Sequence, residues 1–111
     1  MAGPFTGLRI VEFAESIAGA YAGMLLAELG AEVTKVDPPG GSPLWSRPGS
    51  SVWNRSKKSV VLDLAGKDGQ ETLQRLVGRS DVFINDRYQD EALTLGLDWD
   101  GLGRTNPGMV Y

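Results

Sequence analysis

The residues best suited by type to do chemistry are cations. Asn54-Arg55-Ser56-Lys57-Lys58-Ser59 places three positive side chains among four residues, on a chain whose formal net charge is −3. Such a cluster can hold phosphates, but taken by itself it reads sooner as a solvated charged face. Just before it lies a Pro-, Gly- and Ser-rich stretch, PPGGSPLWSRPGSSV over residues 38–52, carrying Trp45 and Arg47, with Trp53 directly after. That composition reads as a loop, unusually long for a compact α/β unit. An aromatic beside a cation suits two roles, clamping a flat ring or packing the loop down, and the pattern leaves both open. A third place is Ser16-Ile17-Ala18, just past an apolar run of strand formers.

What is missing narrows the chemistry. The chain has neither cysteine nor histidine, so it offers no thiol nucleophile, no disulfide framework, no imidazole base and no histidine metal ligand; no metal site is expected. The turn Ala14-Glu15-Ser16-Ile17-Ala18-Gly19 lacks the G-x-G-x-x-G dinucleotide fingerprint, and neither G-x-x-x-x-G-K-[ST] nor G-x-S-x-G occurs. Glu12 and Glu15 are close in sequence, but strand alternation sends them to opposite faces, so they are not expected to act as a carboxylate pair. The charge balance argues against bulk nucleic-acid or membrane binding. Residues 17–29 are apolar-rich but too short to span a bilayer, and the start lacks a secretory layout, so cytoplasmic residence is expected.

The elements that must position these residues follow from periodicity. Leu8 to Phe13 is a strand, Ala18 to Leu29 a helix and Val33 to Val36 a second strand, which makes a right-handed βαβ unit with parallel strands. The helix carries Tyr21, Met24, Leu25 and Leu29 at helical spacing as its expected inner face, and its small residues let another backbone come close. Gly30 stands where a left-handed cap belongs. Val60 to Leu64 is a third strand, Gly66 to Gly78 a helix with an inner stripe of Leu73, Leu76 and Val77 and an outer Glu71–Arg75 pair, and Asp81 to Asp86 a fourth strand. A short helix from Tyr88 to Leu95 and another turn near residues 98–102 lead to Met109-Val110-Tyr111, the opening of a fifth strand. At 111 residues the chain suffices for one domain. In open parallel sheets ligands sit beyond the carboxyl ends of the strands, so the two loops to inspect are residues 14–19 and 37–51.

Taken in order, GLRIVEFA, AGAYAGMLLAELGAEVTKVDPPGG, WNRSKKSVVLDL, DVFIND and LGLDWDGLGRTNPGMVY resemble the amino-terminal part of the family III CoA-transferases, relatives of formyl-CoA transferase, carnitine CoA-transferase and α-methylacyl-CoA racemase. The resemblance implies that residues 1–111 form the front segment of a longer chain, with a Rossmann-like open parallel sheet that binds coenzyme A. It implies acyl-CoA or CoA as ligand, a homodimer in the full-length protein, and either CoA transfer between carboxylic acids or α-carbon epimerisation of an acyl-CoA. The family's catalytic aspartate would lie past Tyr111, leaving this chain without a catalytic residue. A non-catalytic module used for binding or assembly is the alternative.

By position, the resemblance implies that Ser16, Ile17 and Ala18 border the acyl-thioester site and that Arg47 helps hold the nucleotide end. Asn54, Arg55, Lys57 and Lys58 match a segment beside adenine and phosphates, which tips the basic cluster toward CoA contact. Asn85 and Arg87 fall in a segment usually read as E-N-[FY]-R-P-G. Three departures stand out: Ala20 replaces a common proline, Ser56 replaces a glycine, and Asn85-Asp86-Arg87-Tyr88-Gln89-Asp90 loses the Pro-Gly and brings Asp86 near the expected ligand. The coenzyme assignment requires the cations around Lys57 to face the same mouth of the sheet as Ser16.

Overall fold

The computed structural model describes residues 3–111, the Leu44 side chain excepted; Met1 and Ala2 of the lead-in lie outside the described residues. Four parallel strands, β1 (Arg9–Phe13), β2 (Glu32–Asp37), β3 (Lys58–Val61) and β4 (Val82–Asn85), form one sheet in the order β3-β2-β1-β4. Between them run α1 (Ile17–Glu28), the single-turn α2 (Ser50–Trp53) and α3 (Lys67–Gly78), and after β4 come α4 (Gln89–Leu95) and α5 (Trp99–Thr105). The expected fifth strand is present as a single parallel bridge between Val82 and Val110. The long loop is partly ordered into a 3-10 turn over Pro43–Ser46 followed by α2. The strand β3 starts inside the basic cluster rather than after it, because Lys58 is in register with Thr34.

Alternation gives the sheet two unlike faces. One carries Val11, Phe13, Val36 and Phe83, which join Leu73, Val77 and Leu102 in the main core beneath α3 and α5. The other carries Ile10 and Val33, packed on Ala27 of α1. On this second face Glu12, Lys35 and Ser59 lie in one row across β1, β2 and β3.

The inner face of α1 keeps Met24 of the expected set but turns the other three residues outward. Gly19, Ala20, Gly23, Met24 and Ala27 are buried, while Tyr21, Leu25 and Leu29 are exposed. The row of charged side chains explains this. A helix laid over Glu12 has room only for small residues: a Cβ on Gly23 would sit 1.8 Å from Glu12 Oε1. The expected Glu71–Arg75 pair is also replaced, since Glu71 faces Lys67 at 3.9 Å. Gly30 does take a positive φ, 104°, which lets the chain turn from α1 into β2.

Candidate functional site at the carboxyl rim

The chain builds β1, β2 and β3 outward in one direction, then returns to place β4 on the free side of β1. In open α/β sheets such a reversal marks the crevice where ligands bind, which here falls at the carboxyl ends of β1 and β4. Residues 14–19 form one wall and residues 85–88 the other. Ser16 caps α1: its backbone is extended and its Oγ accepts from Gly19 N at 3.3 Å. Ile17 and Ala18 follow, both exposed.

The two walls are bonded to each other. The Asp86 carboxylate accepts from the backbone N–H of Glu15 at 3.0 Å, from that of Ser16 at 2.7 Å and from the Ser16 hydroxyl. Asn85 Oδ1 accepts from Arg87 N at 2.9 Å, a tight turn that aims the Arg87 side chain back over the crevice. The Arg87 guanidinium pairs closely with Glu15, lies 3.4 Å from Glu91 and sits 4.9 Å over the Phe13 ring. Its Nε is buried without a hydrogen-bond partner among the described residues. Beside it is a cavity of about 330 Å³ lined by Asn85, Arg87, Gln89, Asp98, Trp99 and Tyr111. Tyr111 closes one side, its ring stacked on Phe83 and its hydroxyl donating to Leu97 O at 2.8 Å. Ser16, Ile17, Ala18, Asn85 and Arg87 are therefore brought together.

The basic cluster is not brought to that crevice as a group. Lys57 turns inward: its side chain is 2 % exposed, its Nζ lies 2.7 Å from the fully buried Glu12, and it donates to Ala20 O at 2.8 Å and Asn54 Oδ1 at 3.2 Å. Burial pushes the Glu12 carboxyl up from its ordinary value, a rise that the Lys57 bond and charge only partly offset. Burial likewise pulls the Lys57 ammonium down, with Glu12 opposing. Arg55 pairs with Glu28 and Lys58 with Glu32. Glu28 ends α1 and Glu32 begins β2, so both acceptors stand at the amino rim, a full helix length from Ser16. The requirement that these cations share the mouth of Ser16 is thus not met by Arg55 and Lys58; each is drawn to a carboxylate at the opposite end of its neighbouring element.

Asn54, Lys57 and Lys58 do line a cleft of about 270 Å³ together with Trp45, Ser50 and Ser51. Each of its lysines already has an ion-pair partner. Lys35 and Lys57 are held by the buried carboxylates Asp37 and Glu12, and Lys58 makes an exposed pair with Glu32. Arg47 is exposed in the loop after β2, and it has no ion-pair partner among the described residues. Trp53 packs against Gly49.

The departures also find their places. Ala20 N donates to Ser16 O at 3.2 Å, a bond that a proline there would delete. Ser56 has φ 65°, the left-handed conformation in which the expected glycine would be unstrained.

The sequence profile described as CoA-transferase family III matches residues 5–111. The chain belongs to CoA-transferase family III. Among its family relatives, the succinyl-CoA–D-citramalate CoA-transferase of Chloroflexus aurantiacus is 37% identical over 117 residues, 96% of this chain and 29% of that one. The probable fatty acyl-CoA transferase Rv3272 of Mycobacterium tuberculosis is 36% identical, over 97% of this chain and 30% of that protein. A crystal structure of Rv3272 superposes with a TM-score of 0.91 at 35% identity, covering 98% of this chain and 32% of that one. The chain thus spans about a third of the length of these relatives, and its α/β architecture is that of the family.

Sequence reasoning missed Glu12, Lys35 and Asp37. The signal was available: Ile10 and Glu12 share one face, as do Val33, Lys35 and Asp37, so three charges face a helix too poor in polar groups to answer them. It also placed Asp86 in a ligand's path without seeing that it bonds the loop before α1.

Proposed function

We propose that this chain binds the CoA thioester along the carboxyl rim of its sheet, within a longer protein that transfers CoA between carboxylic acids. The observation that carries this reading is the bonding of residues 15–16 to residues 86–87 at the carboxyl ends of β1 and β4, in a chain of this family whose Ser16, Ile17 and Ala18 the resemblance associates with the thioester. The thioester end lies between Ser16–Ala18 and Asn85–Arg87. The nucleotide end runs toward the ends of β2 and β3, where Arg47 offers an uncommitted cation and Trp45, 51% exposed, an aromatic face. Asn54, Arg55, Lys57 and Lys58 support the ligand indirectly: Lys57 and Asn54 fix the underside of α1 and so the position of Ser16.

The reading assigns no nucleophile to this chain. Glu15 and Asp86, the carboxylates nearest the crevice, are held by Arg87 and by the loop amides. A full-length homodimer accords with the resemblance, and the exposed stripe of Ile17, Tyr21 and Leu25 on α1 is a surface that such packing would cover. The choice between transfer and epimerisation is put on transfer, because the relatives named above are transferases.

The alternative, a non-catalytic module, is favoured by one feature: the Asp86 carboxylate already fills the position at the head of α1. Titration of acetyl-CoA into the chain, followed by tryptophan fluorescence, separates the two. Saturable binding that Arg47→Ala weakens and Lys58→Ala leaves unchanged supports the proposal. No saturable signal, or loss with Lys58→Ala alone, overturns it. For the full-length protein, acyl-CoA mixed with free carboxylic acids should yield a new thioester by mass spectrometry.

A further inference from the structure

We propose that Asp86 is a specificity-determining residue that bars anions from the head of α1, so that the group a ligand presents there is uncharged. In this sheet topology the first helix after β1 ordinarily offers its free N–H groups to a phosphate. Here two of the N–H groups leading into that helix, those of Glu15 and Ser16, and the Ser16 hydroxyl all point at one carboxylate oxygen pair. The space is filled as well as the bonding capacity. A Cβ added to Gly19, in the first turn of α1, would lie 2.9 Å from Asp86 Oδ2 and 2.7 Å from Ala14 Cβ.

The carboxylate is held in place from its own segment. Asn85 bonds the backbone of Arg87, and Arg87 ties back to Glu15 beside the same amides. A ligand phosphate at this point would meet the Asp86 charge, with only the N–H groups of Ile17 and Ala18 left to offset it. A thioester carbonyl brings no charge and can approach along the exposed Ile17 and Ala18 side. This rests on the crevice being the thioester site, and it adds that the phosphates of CoA lie away from α1.

The test uses inorganic pyrophosphate as probe and the nitrogen-15 amide resonances of Glu15 and Ser16 as readout, so its failure is distinct from a failure to bind CoA. In the wild-type chain these resonances should not shift saturably with pyrophosphate. In Asp86→Ala they should shift saturably, with binding tighter by about tenfold or more, the worth of one charge-assisted hydrogen bond. Should Asp86→Ala fail to fold, Asp86→Asn keeps the volume while removing the charge, and it should show the same gain to a smaller degree. Saturable shifts in the wild type equal to those of the variant would overturn the inference, as would a folded variant with no gain.

Discussion

Replacing Lys57 with methionine should destabilise this chain far more than removing either neighbouring cation. Lys57 and Glu12 have side chains 2 % and 0 % exposed and stand 2.7 Å apart. Lys57→Met keeps most of the apolar stem and removes the charge. It leaves Glu12 beneath α1 with no free counter-ion, since Lys35 is held by Asp37. Breaking one partner out of a buried pair costs about 3–5 kcal/mol. Loss of the ammonium also removes the bond to Asn54 Oδ1 and the second bond to the Ala20 carbonyl, so the upper part of that range is expected. By contrast Lys58 and Glu32 have side chains 70% and 53% exposed, and an exposed pair contributes about 0–1 kcal/mol. Urea denaturation, read as a shift of midpoint at constant slope, measures both. Exchanging both partners, Glu12→Leu with Lys57→Met, should recover much of the loss, because a buried pair replaced by apolar side chains is often neutral. If Lys57→Met falls within about 1 kcal/mol of wild type, below what an unpaired buried charge costs, the description of the network is wrong.

Further outcomes follow from the same geometry. Glu12 has a folded-state value raised above 4.5 by burial, so the folded state binds its proton more tightly than the unfolded state does. Its contribution to stability is therefore fully present below 4.5 and lost as pH rises through the folded value; against a Glu12→Gln reference, wild type should lose stability over that window, and Lys57→Met should widen it. Gly23→Ala should destabilise by about 1–3 kcal/mol through overpacking against Glu12, the opposite sign to the gain of about 1 kcal/mol that alanine usually brings to a helix; thermal unfolding decides the sign. Ser56→Gly should stabilise by about 1 kcal/mol by relieving a left-handed backbone at a non-glycine residue, seen as a higher urea midpoint. Ser16→Ala should cost about 1 kcal/mol through loss of the α1 cap, measured the same way.

Much of the architecture was legible because strands and helices here keep their periods. Leu73 and Val77 fall on the buried side of α3, and the β-branched runs become parallel strands in the βαβ order. The reading of α1 changed because of charge inside the sheet. A helix pattern alone assigns Tyr21, Leu25 and Leu29 inward, but over the buried Glu12–Lys57 pair α1 presents Gly19, Ala20 and Gly23, and those three large side chains turn out. The basic cluster looked like one surface because its residues are adjacent in sequence. Alternation at the start of β3 divides it, sending Lys57 under α1 and Lys58 to Glu32 at the amino rim. Residues 14–18 were found because they end a recognisable strand at the carboxyl rim. Their partnership with Asp86 is about 70 residues away along the chain and leaves no local pattern.

The most direct test of where the ligand lies is amide chemical-shift mapping of the nitrogen-15 labelled chain during titration with acetyl-CoA. The carboxyl-rim account predicts saturable shifts at residues 14–18, 45–47 and 85–88, with residues 28–32 and 54–58 unmoved. Shifts confined to 28–32 and 54–58 would place the coenzyme on the basic cluster and contradict it.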